Sequence, residues 1–242
     1  MMLSKRDLDC VVIDGAEVSA EEFAANLKKA WQLRALTDPT KYVMASSDAS
    51  EEQISLSGKS DFENEILPRI KEYLLPSLFD NKFNGLEIGC GIGRLLEHAS
   101  PFFSMLYGVD ICKDLLDIAA NRLSILSNIT LVETDGLSLK GIADTSINLV
   151  YEYIVFQHIG SMQIIRNYIH EISRVLKPGG VAVLHGRDEH AFSIDSFSGN
   201  TWHGIKTGPD CMRDCIQGTQ LSIRKEEGEG TTRYWIVLQK ES

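Results

Sequence analysis

The sequence predicts an α/β protein, a three-layer, doubly wound sheet of seven strands, mostly parallel with a C-terminal antiparallel hairpin. Three observations predict it. Between residues 83 and 185, short apolar strands alternate with amphipathic helices, which is typical of a parallel sheet buried on both faces. A glycine-rich turn follows the first of these strands, as in folds that bind nucleotide-like ligands at strand ends. Two strands near 220–225 and 232–239, joined by a charged, glycine-containing turn, indicate the hairpin.

The N-terminal region precedes this alternation and is predicted to be helical. Ser19 and Glu22 have the spacing of a capping box, which predicts a helix from there to about residue 36. Apolar residues recur in it at helical spacing, so one of its faces is expected to pack on the core. The stretch 46–58 is polar and is predicted to form a loop. Helical spacing resumes at Asp61.

The remaining elements follow in regular order. The predicted strands after the first are 105–110, 129–133, 147–153 and 180–185. The predicted helices between and after them are 93–100, 113–126, 161–175 and 209–216. We therefore predict two regions, an N-terminal helical extension of residues 1–60 and a ligand-binding α/β domain of residues 61–242.

The first strand leads into three alternating glycines, Gly89, Gly91 and Gly93, with Glu87 just before them. Glycines allow a tight turn and let a ligand approach the backbone N–H groups at the start of the next helix. The dinucleotide fingerprint would need a glycine where Arg94 stands. The pattern therefore indicates a nucleotide-type cofactor but disfavours NAD.

Carboxylates stand at the ends of four successive strands. They are Glu87, Asp110, Asp135 with its neighbour Glu133, and Glu152. Such a set repels a diphosphate and attracts a cation. S-adenosylmethionine, which carries sulfonium and ammonium groups, suits the predicted site better than NAD does.

In these features the chain resembles the class I S-adenosylmethionine-dependent methyltransferases, which have a Rossmann-like fold, over residues 60 to 240. The glycine loop, Asp110, Asp135 and the turn 176–180 carry the resemblance. It implies that Glu87 and the glycine loop hold the methionine part of the cofactor, Asp110 the ribose hydroxyls, and Asp135 with Gly136 the adenine edge. The cofactor-binding residues so expected are Glu87, Gly89, Cys90, Gly91, Gly93, Arg94, Asp110, Ile111, Asp135, Gly136 and Glu152.

The resemblance also bears on the N-terminal extension. In such methyltransferases an extension of this kind often caps the active site, which would turn Trp31 or Tyr42 toward the substrate. The alternative is that the helix simply packs on the core. One departure from the family pattern is Asn148 in the fourth strand, where an aspartate is usual.

The segment after the fourth strand is the expected substrate side. Many small-molecule methyltransferases resemble it and have a histidine at the position of His158. Histidine can accept a proton near neutral pH, so His158 is the candidate catalytic base. The alternative is that it only fixes the loop, because methyl transfer can proceed by proximity alone. Candidate substrate contacts besides His158 are Tyr153, Trp202 and His203.

Composition excludes several other classes of function. The formal net charge of −10 disfavours a nucleic acid substrate. Five cysteines without a regular framework, together with an N-terminus that lacks an apolar leader, indicate a reduced, cytoplasmic protein. No apolar run is long enough to span a membrane. The histidines show no metal-ligand spacing, and Cys211 and Cys215 are interpreted as packing residues, so no metal site is predicted.

The sequence thus predicts a methyltransferase that uses S-adenosylmethionine and modifies a small molecule at oxygen or nitrogen. No signature of base or glutamine methylation follows the fourth strand. The alternative hypothesis is a non-catalytic protein that binds S-adenosylmethionine as a sensor or partner subunit. The sequence gives no prediction of the oligomeric state.

Overall fold

A computed structural model describes residues 11–13, 16–75, 82–188 and 204–242. Seven strands form one mixed sheet. In chain order they are β3 (Asn84–Ile88), β4 (Met105–Asp110), β5 (Ile129–Glu133), β6 (Ile147–Glu152), β7 (Leu176–Gly186), β8 (Leu221–Glu227) and β9 (Tyr234–Lys240). Their order across the sheet is β5-β4-β3-β6-β7-β9-β8. A separate antiparallel pair, β1 (Val11–Ile13) and β2 (Ala16–Val18), precedes them.

The strand directions confirm the predicted topology. All pairs from β5 to β7 are parallel, whereas β9 is antiparallel to both β7 and β8. The predicted C-terminal hairpin therefore closes the sheet, with its second strand inserted next to β7. Because β3 and β6 are adjacent although distant in the chain, a switch in strand order occurs between them. Clefts at the carboxyl ends of strands form at such a switch.

Helices lie on both faces of the sheet. The α-helices are α1 (Ala20–Thr37), α2 (Pro39–Met44), α3 (Glu51–Asp61), α4 (Leu67–Ile70), α5 (Arg94–Ala99), α6 (Lys113–Arg122), α7 (Met162–Val175) and α8 (Pro209–Cys215). A π-helical turn, Phe62–Ile66, joins α3 to α4 without a break. In the described residues no helix is long and apolar enough to cross a membrane.

Two apolar cores separate the three layers. On one face, α1, α7 and α8 pack against strand residues such as Val150 and Ala182. On the other face, α4, α5 and α6 pack against the alternate residues Leu149, Tyr151 and Val181. Successive side chains of a strand point to opposite faces, so a strand with both sets buried must be apolar throughout. This explains why the central strands show no polar alternation.

The predicted loop over 46–58 is wrong, because residues 51–61 form α3. Ser50 caps this helix by a true capping box: Gln53 N donates to Ser50 Oγ at 3.3 Å, and Ser50 N donates to Gln53 Oε1 at 2.8 Å. The helical run then continues to residue 70 across the predicted boundary at 60/61. The division of the chain at that point stays a prediction.

Asn148, which departs from the family pattern, has a structural role. Its Oδ1 accepts hydrogen bonds from Asn84 N at 2.9 Å and from Lys177 Nζ at 2.8 Å. These two bonds join β3, β6 and the turn that begins β7. An amide oxygen thus meets the acceptor role that this position requires.

Candidate active site

The glycine loop between β3 and α5 has the conformation that the sequence predicts. Gly89, Gly91 and Gly93 have φ angles of +69°, +53° and +77°, which L side chains rarely adopt. The N–H groups of Gly89 and Cys90 donate to Val109 O at 2.8 and 3.0 Å. A Cβ on Gly89 would lie 2.4 Å from Val155, so only glycine lets the loop approach the segment after β6.

Asp110, at the end of β4, fixes this loop. Its Oδ2 accepts a hydrogen bond from Gly91 N at 2.8 Å, and its Oδ1 accepts one from Cys112 N at 2.8 Å. Burial raises the pKa of the Asp110 carboxyl, and the backbone donors, including these two, act against that rise. The carboxylate therefore lies beside the loop, as the sequence predicts.

Glu87 lies on the same side at the end of β3. It is 3 % exposed, and Tyr151 donates a hydrogen bond from its hydroxyl to Glu87 Oε2 at 2.8 Å. Burial raises the pKa of Glu87 to about 8, although Tyr151 and the Arg94 charge lower it. Arg94 is itself buried and paired with Asp61 of α3.

These residues border a cleft at the carboxyl ends of the parallel strands. Together with the open solvent at its mouth it measures about 950 Å³. It lies at the switch between β3 and β6, where ligands of open α/β sheets bind. The predicted site residues that line it are Glu87, Gly89, Cys90, Gly91, Arg94, Asp110, Ile111, Gly136, Tyr153 and His158.

Three predicted cofactor residues do not line the cleft. Gly93 is the N-cap of α5, and a Cβ there would lie 2.5 Å from Leu123. Asp135 caps its own turn, accepting from the N–H groups of Leu137 and Ser138 at 2.8 Å. Their direct contact with a cofactor stays a prediction.

The third residue is Glu152, which is fully buried. Its Oε2 accepts from Val155 N at 3.0 Å, and its Oε1 accepts from His185 N. Burial raises the pKa of Glu152 to about 8. Glu152 thus holds the turn after β6 against β7, behind the cleft wall. Trp202 and His203 lie outside the described residues, so their predicted contacts with substrate stay predictions.

His158 lies in the segment after β6. It belongs to a 3₁₀ turn of residues 156–158, is 7 % exposed and lines the cleft. The ring of Trp31, from α1, meets the His158 ring edge-on with centroids 5.6 Å apart. Gln157 Nε2 lies 3.4 Å from His158 Nε2. A histidine and an aromatic ring from the N-terminal helices therefore share one wall.

The N-terminal helices also line the cleft. Trp31 and Tyr42 were expected there from the resemblance alone, and Leu27 and Val43 line it as well. An apolar face shows that α1 is buried, but it does not show whether the core or a ligand covers it. In the structure, Phe23 and Leu27 of α1 belong to the core, and Leu27 also lines the cleft.

Thr134 lines the cleft but is not among the residues predicted from the sequence. It directly precedes Asp135, is 4 % exposed and lines the cleft near Gly136. Its buried hydroxyl lies beside the hydroxyl of Tyr168, another residue that lines the cleft. No sequence signal distinguished Thr134 from other strand-end residues.

The polar groups of the cleft fit S-adenosylmethionine. The carboxyl groups of Glu87 and Asp110 can accept hydrogen bonds from ribose hydroxyls or an ammonium group, and a cation bound beside them would favour their ionised forms. The space that a Cβ on Gly91 would fill is free except for Val43 at 3.5 Å. Within the described ranges, no three His, Cys, Asp or Glu side chains are grouped to bind a metal.

Comparisons with known proteins agree with this site. A family model described as a methyltransferase domain matches residues 86–184, which include the glycine loop and β3 to β7. No curated protein matches the chain. Many solved structures share its fold.

One similar structure is geranyl diphosphate C-methyltransferase from Streptomyces coelicolor A3(2), bound to S-adenosyl-L-homocysteine. It is 13 % identical, has a TM-score of 0.61, and the match covers 92 % of this chain and 99 % of that one. The N-methyltransferase NodS from Bradyrhizobium japonicum WM9 is 19 % identical with a TM-score of 0.55, covering 75 % and 97 %. These likenesses show the fold. The family match identifies residues 86–184 as a methyltransferase domain, and the cleft that these residues help to form fits S-adenosylmethionine as the methyl donor.

Proposed function

We propose that this enzyme methylates a small molecule at an oxygen or nitrogen atom and that His158 accepts the proton. The observation that carries the proposal is the placement of His158 on the same cleft as Gly89, Gly91 and Asp110. When bound, S-adenosylmethionine supplies an electrophilic methyl group on a sulfonium, whose sulfur keeps the bonding electron pair. An acceptor O–H or N–H loses one proton as its lone pair bonds to the methyl carbon, and the His158 ring takes that proton and returns it to solvent.

The segment that carries His158 is fixed before any ligand binds. Ile154 has a φ of +61°, an unusual value for a β-branched residue. The bonds to Glu152 and the N–H of His158, which donates to Val155 O at 2.9 Å, hold this turn. Backbone strain of this kind persists only when the surroundings enforce it, and it is common at functional sites. Alignment of acceptor and base therefore needs little rearrangement.

The N-terminal helices cover part of the cleft, which supports a small acceptor. We propose that residues 1–60 act as a cap on the domain formed by 61–242. Val43 of α2 lies over Gly91, and Ala24 of α1 lies near Gly136. Lys28 of α1 pairs with Glu133 at 2.5 Å. The Streptomyces protein, whose chain has a similar extent, was solved with the small molecule geranyl diphosphate. The net charge of −10 opposes a nucleic acid acceptor.

The test follows methyl transfer from methyl-labelled S-adenosylmethionine into an ultrafiltered metabolite extract. We expect His158→Ala to lower turnover about 10²- to 10⁴-fold, the usual contribution of a general base. Its affinity for S-adenosylhomocysteine should stay within about twofold of the wild type. His170→Ala, which changes an exposed histidine of α7, is the matched control and should transfer at the wild-type rate.

Unchanged turnover in His158→Ala would show that the histidine is structural. If the wild type binds S-adenosylhomocysteine but labels no small molecule, the enzyme does not act on that class of acceptor. That second outcome would favour the sensor or partner-subunit alternative.

A further inference from the structure

Four aromatic rings from the N-terminal helices and from the segment after β6 line the cleft. Trp31 comes from α1, Tyr42 from α2, and Tyr153 and His158 from the segment after β6. The aliphatic residues Leu27, Val155 and Ile159 line the cleft as well. Charged side chains of the cleft, by contrast, belong to the strand ends and the glycine loop.

Three of these rings contact a side chain outside the cleft, and the fourth, His158, contacts Trp31. The Arg34 guanidinium carbon lies 4.9 Å from the Trp31 ring centroid and 5.9 Å from that of Tyr42. Tyr153 stacks on Trp235 with centroids 5.7 Å apart and an interplanar angle of 9°. Cation–π and stacking contacts stabilise these ring positions. Aromatic rings prefer stacked or edge-to-face contact with another ring, so these walls favour a planar aromatic ligand.

The proposed base adds a chemical constraint. An unperturbed histidine has a pKa of about 6.5 and an aromatic hydroxyl about 10, as in tyrosine. Aliphatic alcohols, whose acidity is close to that of water, have a pKa far above that of an aromatic hydroxyl. A histidine acting as the base can therefore deprotonate a phenol far more readily than an alcohol. The walls and the base favour the same class of acceptor.

From these two arguments we infer that the acceptor is a planar aromatic hydroxyl compound, and that Trp31 and Tyr42 select it by ring contact. This inference rests on the proposed function and narrows it to one substrate class. The aromatic hydroxyl oxygen forms the bond to the methyl carbon, the methyl–sulfur bond breaks with its electron pair on sulfur, and the hydroxyl proton passes to His158.

The experiment compares two probes of matched size on protein loaded with S-adenosylhomocysteine. The probes are 2-naphthol and its saturated analogue, decahydro-2-naphthol, each titrated by calorimetry. We expect the wild type to bind 2-naphthol about tenfold more tightly, which corresponds to the strength of one or two aromatic contacts. With S-adenosylmethionine in place of the product, 2-naphthol should gain a methyl group on its oxygen.

Variants of the N-terminal helices identify the selecting residues. Trp31→Leu should lose most of the preference for the planar probe, whereas Trp31→Phe should keep it. Leu33→Ala, on the same helix with Leu33 67 % exposed, should behave as the wild type. Should Trp31→Leu fail to fold, Tyr42→Leu gives a second test with the same expected loss.

Equal binding of the two probes by the wild type would overturn the inference, and so would an intact planar preference in both leucine variants. Failure of the wild type to bind S-adenosylhomocysteine is a separate outcome, which would contradict the proposed function itself. Binding of the cofactor product without discrimination between the probes would reject only the aromatic acceptor.

Discussion

Glu87 shows how a single carboxyl group is adapted to this cleft. It is almost fully buried, and its nearest charged neighbour of opposite sign, Arg94, is engaged with Asp61. Its raised pKa means that the carboxyl keeps its proton in the folded, ligand-free protein near neutral pH. A cation bound beside it would favour the ionised form. The negative charge of Glu87 therefore depends in part on the presence of the bound cation.

This leads to a prediction for stability against pH. In the unfolded chain Glu87 ionises near pH 4.5, but in the folded protein it ionises near pH 8. The folded state therefore binds more protons between these values, so the free energy of unfolding should fall as pH rises from about 4.5 to 8. In Glu87→Gln, the total loss in the free energy of unfolding between these two pH values should be smaller, by an amount of order a few kcal/mol.

Urea denaturation at a series of pH values measures the slope. Glu52→Gln, which changes an exposed residue of α3, should leave the slope as in the wild type. If Glu87→Gln and the wild type lose stability in parallel across the window, the buried carboxyl is not protonated in the folded protein.

At the residue scale, the sequence predicted the cofactor side better than the acceptor side. Glycines and carboxylates at strand ends have local signatures, and Gly91 and Asp110 are joined as that signature requires. Thr134 has no such signature, because only its position directly after β5 brings it to the cleft. Contacts such as Trp31 with His158 join segments more than a hundred residues apart, which no spacing pattern reveals.

At the scale of elements, the least expected feature is the crossing of α3 and α5. Gly58 of α3 faces the backbone of α5 so closely that a Cβ would lie 2.0 Å from Arg94 O. This contact positions α5, whose first residue is Arg94, and hence the end of the glycine loop. The sequence missed α3 because its residues are polar. Ser50 and Gln53 did, however, have capping-box spacing.

The sign of the change in the free energy of unfolding caused by Gly58→Ala tests this close crossing. In an exposed helix the change would stabilise the protein by about 1 kcal/mol. Here the contact with rigid backbone should dominate, and we expect a loss of about 2 kcal/mol or more in the free energy of unfolding. Lys59→Ala, at a side chain 56 % exposed, should stay within about 0.5 kcal/mol. A stabilising effect of Gly58→Ala would contradict the close crossing.

At the scale of the whole molecule, the parallel sheet gathers the functional groups. The strand ends of β3, β4 and β6 bring Glu87, Asp110 and the His158 segment to one edge, although they are spread over seventy residues. This follows from the topology and could be predicted from the alternation of strands and helices. The position of α1 and α2 over that edge could not, since no periodic pattern specifies which surface a preceding helix covers.

The central claim is that acidic strand ends and a glycine loop together bind S-adenosylmethionine. Asp110 is its most direct test, because its carboxylate orders the loop and faces the cleft. In Asp110→Asn the amide oxygen can still accept one backbone hydrogen bond, so the fold should persist. Loss of a charge-assisted bond costs about 1.5–3 kcal/mol, which is about ten- to a hundredfold in affinity.

The deciding measurement is a calorimetric titration with S-adenosylhomocysteine of the wild type, Asp110→Asn and the control Asp117→Asn, whose side chain is 62 % exposed on α6. We predict binding by the wild type and by the control with equal affinity, and binding at least tenfold weaker by Asp110→Asn. No binding by the wild type, or equal affinity in all three proteins, would contradict the account.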